Sequence, residues 1–197
     1  MRYAADKYYE ILNGKKVICV DFDNTVCLDE WPYVGPIIPG AIEVLKALQS
    51  EGHKIILYTQ RSYSYPICCN ELVEYSKQTY GMDMGVVDIL SPAIKIFTDN
   101  GISLWGINQN NPWEKYTGDN SRKVFMDYLI DDHVVGTDRL IVKNSKDEDC
   151  EIVNWKSIDD WCLKECLYNN HAIENNMIIS DTYIYFKKYA DKFKNNH

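Results

Sequence analysis

The stretch VICVDFDNT, residues 17–25, decides how this chain is read. It opens with Val17, Ile18, Cys19 and Val20, an apolar and mostly β-branched run of the kind buried on both faces of a parallel sheet. The run stops abruptly in an acidic turn. Residues two apart on an extended segment point the same way, so Asp21 and Asp23 face one site while Phe22 faces the core. In open parallel sheets, ligands bind in the crevice at the carboxyl ends of the strands.

Working outward, two further segments end in the same manner. Residues 54–58, KIILY, form a strand that ends at Thr59, and YLI at 128–130 runs straight into Asp131 and Asp132. Between the first two strands, Ile42, Leu45 and Leu48 recur at helical spacing, with Pro39 and Gly40 before them and Gly52 as the stop. Residues 71–80 read as a helix. Ser91 is placed to cap another that runs to about Asp99, with Pro92 at its first position. A weaker strand follows over 103–107, and a loop rich in Asn, Pro and Gly over 108–120. This alternation predicts an α/β protein: a three-layer, Rossmann-like fold with a mostly parallel central sheet. Beyond Asp138 the pattern predicts a strand over 139–143, a charged turn over 144–149 and a helix over 155–167. The tail at 181–193 offers Tyr185, Phe186, Tyr189 and Phe193 as a docking face. A single domain spanning 1–197 is expected, with its core at about 14–140 and a C-terminal helical extension at about 141–197.

Composition narrows the function classes. The 197 residues are 46% apolar and 25% charged, globular values that exclude a disordered chain. No run approaches the ~18 apolar residues of a membrane helix. The N-terminus MRYAADKYYE is polar and does not read as a signal peptide, so a cytoplasmic location is expected, with no membrane partner. A net charge of −8 repels phosphate backbones, which disfavours a nucleic-acid polymer and leaves room for a small phosphorylated substrate. A homo-oligomer stays open. The seven cysteines, an odd number without a secretion signal, read as reduced thiols. Cys162 and Cys166 lack a second pair at zinc spacing and read as buried small hydrophobes.

Taken separately, a DxD turn, a threonine at a strand end and a pair of acids are ordinary surface features. All of them at the carboxyl ends of strong strands point to one metal site. Converging carboxylates repel one another and need a hard cation. Mg²⁺, held by carboxylates, a backbone carbonyl and waters, suits these residue types. Neither GxxxxGK[ST] nor GxGxxG occurs, which disfavours a P-loop kinase and a dinucleotide enzyme.

The run VDFDNTV resembles motif I of the haloacid dehalogenase-like phosphohydrolases, hydrophobic residues followed by Asp-x-Asp-x-Thr. IILYTQR resembles their motif II, Lys123 stands where the motif III lysine would, and YLIDDH resembles motif IV. The motifs fall in the family's order and cover about the first 140 residues. The resemblance implies a phosphatase in which Asp21 is the nucleophile and Asp23 is the general acid, then the general base. It also implies Mg²⁺ held by Asp21, the carbonyl of Asp23 and the pair Asp131 and Asp132, with Asp132 the expected direct ligand. Thr59, with the backbone N–H groups of Phe22, Asn24 and Gln60, would hold the phosphoryl oxygens. Lys123, preferred over Arg122 and Lys115, would offset charge on the phosphate and Asp21. Asp23 is expected to be kept protonated by burial and by the neighbouring acids. His133 and Cys27 are assigned no catalytic duty.

Members of this family draw specificity from caps inserted after motif I or motif II. Only 16 residues separate Asp23 from Gly40, enough for a flap on which Trp31, Tyr33 and Val34 could lay an aromatic surface over the site. The 63 residues between Thr59 and Lys123 must also supply helices and a strand. A capless or minimally capped member is expected, similar to small bacterial and phage proteins and to 5′-deoxynucleotidases. A nucleotide is therefore a candidate substrate by analogy. A phosphotransferase to an acceptor other than water and an idle binding module are the alternative readings.

Overall fold

The computed structural model describes residues 10–82, 84–109 and 124–173. Its centre is a parallel sheet of β1 (Val17–Val20), β4 (Lys54–Leu57), β7 (Leu104–Ile107) and β8 (Tyr128–Ile130), in the order β7-β4-β1-β8. Every residue of β1 is buried, as its unbroken apolar run requires. Val20 pairs with Leu57 on one side and Ile130 on the other, so these three strands end level. The chain steps outward from β1 to β4 to β7 and then returns to lay β8 against the far side of β1. The reversal falls between β1 and β8, and the loops leaving their carboxyl ends diverge around a crevice.

Alternation along β1 divides the core between the two faces of the sheet. Ile18 and Val20 pack with Ile55 and Leu57 against α1 (Ala41–Ser50), through Val44, Leu45 and Leu48. The same cluster takes in Phe97 of α3 (Ser91–Asp99) and Trp155 and Cys162 of α4 (Trp155–Lys164). On the opposite face Val17, Cys19 and Ile56 pack with Leu12 and Val124. Gly40 begins α1 at φ +90°, and a Cβ there would lie 2.9 Å from Cβ of Trp155. Only glycine combines that backbone with such a close approach.

Several segments depart from the sequence reading. Residues 27–37, within the stretch expected to form a flap, are a hairpin of β2 (Cys27–Glu30) and β3 (Tyr33–Ile37). A two-stranded ribbon is all edge, so Pro36 leaves no ladder partner wanting. The strand expected over 139–143 is β9 (Arg139–Lys143), and it pairs in a second hairpin with an unexpected partner, β10 (Asp149–Val153). Ile152 and Val153 close onto the main core, and the N–H of Val153 bonds the carbonyl of Asn24. The short strands β5 (Tyr65–Pro66) and β6 (Val86–Val87) bracket α2 (Asn70–Tyr80). The N–H groups of Leu90 and Ser91 donate to the carboxylate of Asp88, which takes the capping role expected of Ser91. Helix α4 ends at Lys164, short of Leu167, because Cys166 takes a left-handed φ of 56°. Cys162 is buried as predicted, but Cys166 is exposed; all seven cysteines are free. The 181–193 tail and most of the 108–120 loop lie outside the described residues. Among the described residues no helix is long and apolar enough to cross a membrane.

Helix α4 is tied to the acidic turn after β1 by one buried bond. Nε1 of Trp155 donates to the carbonyl of Thr25 at 2.6 Å. Trp155→Phe strands that carbonyl and opens a void, a loss of about 2–3 kcal/mol. Thermal melts should show a drop of roughly 4–12 °C. An unchanged melting temperature would mean that the bond holds nothing together.

Candidate functional site

The loops at the carboxyl ends of β1, β4 and β8 surround a cavity of about 650 Å³. Asp21, Asp23, Asn24, Thr59, Gln60, Asp131 and Asp132, all singled out from sequence, line it together. Phe22 turns its side chain into the core, its ring centroid 6.2 Å from that of Phe97. Lys123, with its competitors Arg122 and Lys115, lies outside the described residues.

Backbone pairing and one buried hydroxyl hold the two acidic loops together. The N–H of Asp21 donates to the carbonyl of Ile130 at 2.9 Å, continuing the β1–β8 ladder into the turn. The Phe22 carbonyl then accepts from Val26 and Cys27, which folds the chain back on itself. Asn24 sits at φ 53°, a conformation asparagine tolerates better than most residues, and its side chain accepts from the N–H of Asp29. Thr25, fully buried, accepts the N–H of Asp132 on its Oγ1 at 3.1 Å. Sequence reasoning quoted Thr25 within the motif but gave it no task. The available signal was a hydroxyl amid apolar neighbours, which a core tolerates only when it is hydrogen-bonded.

Burial, with like charge added to it, disfavours ionised carboxylates inside the site. Burial pushes the Asp21 carboxyl up to about 7, the Phe22 N–H opposes the shift, and the charges of Asp131, Asp23 and Asp132 add to it. Burial also raises Asp132, opposed chiefly by His133, whose Nδ1 lies 3.0 Å from Asp132 Oδ1. Asp131, Asp132 and His133 bring ligand atoms within 4.8 Å of one another and could coordinate a metal ion. His133, read from sequence as an idle loop residue, thus lines the cavity and bonds one of its acids. Asp21 lines the same cavity, and carboxylates gathered in this way offer oxygen ligands of the kind a hard cation takes.

A second group, Asp159, Asp160 and His171, also brings ligand atoms within 4.8 Å. It lies away from the cavity, and its charges have partners already. Asp159 accepts from the Tyr168 hydroxyl at 2.6 Å and the Ala172 N–H at 2.9 Å, while Lys156 bonds Asp160 at 2.5 Å. Burial alone would raise Asp159, but those hydrogen bonds, with His171, hold it below the usual carboxylate range. This cluster fastens the turn after α4.

Asp23 is raised as the sequence leads one to expect, and what the sequence does not announce is the arginine beside it. Burial raises its carboxyl, but Arg61 opposes burial by hydrogen bond and by charge, and the acid that adds to the shift is Asp29. The acids of the site act most on Asp21. Arg61 is only 2% exposed, and its fork meets Asp23 through Nε at 2.9 Å and Nη2 at 2.6 Å. Its guanidinium carbon lies 5.1 Å from the centre of the Phe22 ring. Arg61 stood in the quoted run IILYTQR with no role, because nothing local distinguishes a buried arginine from a solvated one.

Thr59 is half-buried just beyond the end of β4; its Oγ1 accepts the N–H of Arg61 at 3.3 Å, and its own N–H donates to Asn108 Oδ1 at 2.7 Å. Asn108 therefore lines the cavity as a fastener of the threonine loop. Of the expected flap residues only Trp31 reaches the cavity, packed edge-on to Tyr65 with ring centres 5.8 Å apart. Tyr33 packs on Tyr75 and donates its hydroxyl to Gln78, and Val34 packs against the core. Tyr58 and Tyr65 supply the aromatic surface that Tyr33 does not.

The raised Asp21 carries a stability signature. A carboxyl with a folded pKa above its unfolded value costs nothing below about pH 3.8, and the full penalty is present above about pH 7. In metal-free protein, Asp21→Asn should therefore stabilise at pH 8 by about 1–3 kcal/mol, or roughly 3–10 °C, and by much less at pH 4. Mg²⁺ should raise the melting temperature of the wild type at pH 8 more than that of the variant. An Asp21→Asn gain of equal size at both pH values would contradict that penalty.

No protein-family model matches the chain, and neither does any curated protein. Among solved structures, a conserved protein from Bacteroides thetaiotaomicron is similar, at 28% identity and a TM-score of 0.51. The match covers 77% of this chain and 92% of the other, so what the two share is a fold that spans most of both molecules.

Proposed function

We propose that this chain is a Mg²⁺-dependent phosphomonoester hydrolase that works through an aspartyl-phosphate on Asp21. The observation that carries the reading is the meeting of Asp21, Asp23, Asp131, Asp132 and Thr59, from three strand ends, around one cavity. The ordered resemblance of the same residues to the haloacid dehalogenase-like phosphohydrolases supports it. No other charge pattern on the described surface combines acids, a cavity and a crossover point of the sheet.

In this reading Asp21, Asp132 and the carbonyl of Asp23 hold Mg²⁺, with Asp131 beside them. The bound ion supplies positive charge that lets a carboxylate approach a phosphate dianion. A carboxylate oxygen of Asp21 bonds to phosphorus as the ester P–O bond breaks, and Asp23 gives its proton to the departing oxygen. Asp23 then takes a proton from water as that water's oxygen bonds to phosphorus. The Asp21–phosphorus bond breaks and inorganic phosphate leaves. Thr59 donates to a phosphoryl oxygen, with Asn24, Gln60 and the backbone of Phe22 lining the same cradle, and Lys123 offsets the remaining charge. The leaving group lies toward Trp31 and Tyr65, which suits a small phosphorylated metabolite with a flat portion, a nucleotide among the candidates.

An aryl phosphate assay tests the proposal. Hydrolysis should require Mg²⁺, stop with a chelator, and fall to below about 10⁻³ of wild type in Asp21→Asn. Turnover that survives both the chelator and Asp21→Asn would end this reading.

A further inference from the structure

Arg61 is bonded as few surface-derived arginines are. Its guanidinium has five N–H donors in a rigid fork, and the structure gives each an acceptor. Nε and one N–H of Nη2 grip the two oxygens of Asp23. The second N–H of Nη2 reaches the Tyr33 carbonyl at 2.8 Å. Nη1 divides between the carbonyls of Pro32 at 3.1 Å and Ile89 at 3.3 Å. One buried side chain therefore joins the acid after β1, the tip of the β2–β3 hairpin and the loop before α3. The backbone N–H of the same residue bonds the Thr59 hydroxyl oxygen.

This connection has a direction. The hairpin tip carries Trp31, which walls the cavity on one side, and the carbonyls gripped by Arg61 are those of the next two residues. Asp23 is thereby fixed relative to the wall, and not only to its own strand. A lysine could carry the charge but has three donors and no fork, so it could not hold both carboxylate oxygens and three carbonyls at once.

We propose that Arg61 is the positioning residue for the leaving-group side of this site, locking the Asp23 carboxylate and the Trp31 wall into one body. The inference rests on the phosphohydrolase reading and adds to it a residue that touches neither the reacting phosphorus nor its oxygens. Protonation of a departing alkoxide depends steeply on where the acid sits, whereas an activated phenolate departs with little help. A loss of Asp23 alignment therefore shows in which esters suffer, not only in how much activity remains.

The experiment compares wild type, Arg61→Lys, Arg61→Gln, Asp23→Asn and the Arg61→Gln/Asp23→Asn double variant, with Mg²⁺, on an alkyl phosphate and a nitrophenyl phosphate. Arg61→Gln should lower kcat on the alkyl ester by ~10²-fold or more and on the nitrophenyl ester by less than ~10-fold. Added to Asp23→Asn it should change kcat on the alkyl ester by less than ~3-fold, since the two residues act as one unit. Arg61→Lys should show the same leaving-group split in milder form, and it carries the comparison if Arg61→Gln does not fold. Amide hydrogen exchange, which needs no turnover, should speed up over residues 31–37 in the Arg61 variants and stay unchanged in β1 and β4. An equal loss on both esters, full additivity with Asp23→Asn, or unaltered exchange in the hairpin would overturn the role of Arg61 and leave the phosphohydrolase reading standing. A wild type inactive on every ester would overturn that reading, and this inference with it.

Discussion

The pairing of β1 with β8 is the constraint on which the rest of the molecule depends. Ile18, Cys19 and Val20 run beside Tyr128, Leu129 and Ile130, and the ladder continues one step further through the N–H of Asp21. Residues more than a hundred positions apart in the chain thus end at the same level and release their acids into the same crevice. A slip of one residue would reverse the side-chain alternation and turn Asp21 toward the core. The buried contacts of Ile18 and Val20 on one face, and of Cys19 and Val17 on the other, oppose that slip. Hydrophobic burial sets the register, and the register sets the electrostatics.

Those electrostatics are unfavourable by construction. Asp21 is desolvated and faced by three further carboxylates, and its pKa is raised chiefly by burial, with their charges adding to it. The protein resolves the conflict differently for its acids. Asp23 has a guanidinium in bidentate contact, Asp132 has a histidine and the Thr25 hydroxyl beside its backbone, and among the described residues Asp21 has the N–H of its neighbour alone. Of the acids at the site, the one expected to perform nucleophilic attack is the one with the fewest compensating partners, as a preorganised site requires. The carboxylate cluster at Asp159 is the contrast: hydrogen bonds from Tyr168 and Ala172 satisfy it, and it serves as a fastener.

The hairpin of β2 and β3 fills the chain between the acidic turn and α1. It is held twice beside its tip. Glu30 accepts from the N–H and the hydroxyl of Ser145 near the β9–β10 hairpin, while Arg61 fixes the tip. Of its aromatic residues Trp31 turns inward, beside Asp29, whereas Tyr33 is committed to Tyr75 and Gln78 on the outer side. The cavity consequently has an aromatic wall made of residues from three separate segments, Trp31, Tyr58 and Tyr65.

The elements legible in the sequence were those with a local cause. An unbroken β-branched run forms a buried strand wherever it lies, a 3.6-residue apolar period forms a helix, and a strand ending in acids marks a sheet edge. Hence β1, β4, β8, α1 and the acids at the strand ends could be read directly, and so could their gathering at one rim once the sheet was taken as parallel. The two hairpins could not. Of their strands only β9 has a local apolar cause, in Leu140 to Val142; the others are short, and the hairpins are stabilised by partners such as Ser145 and Asn24 that no local pattern announces. Nor could the fates of Arg61 and Thr25 be read, for burial is a property of the assembled molecule. A guanidinium in an isolated peptide is solvated. Only when the loops after β1 and β4 and the tip of the hairpin close around it does water leave, and the same side chain becomes the tie between the acid and the wall of its cavity.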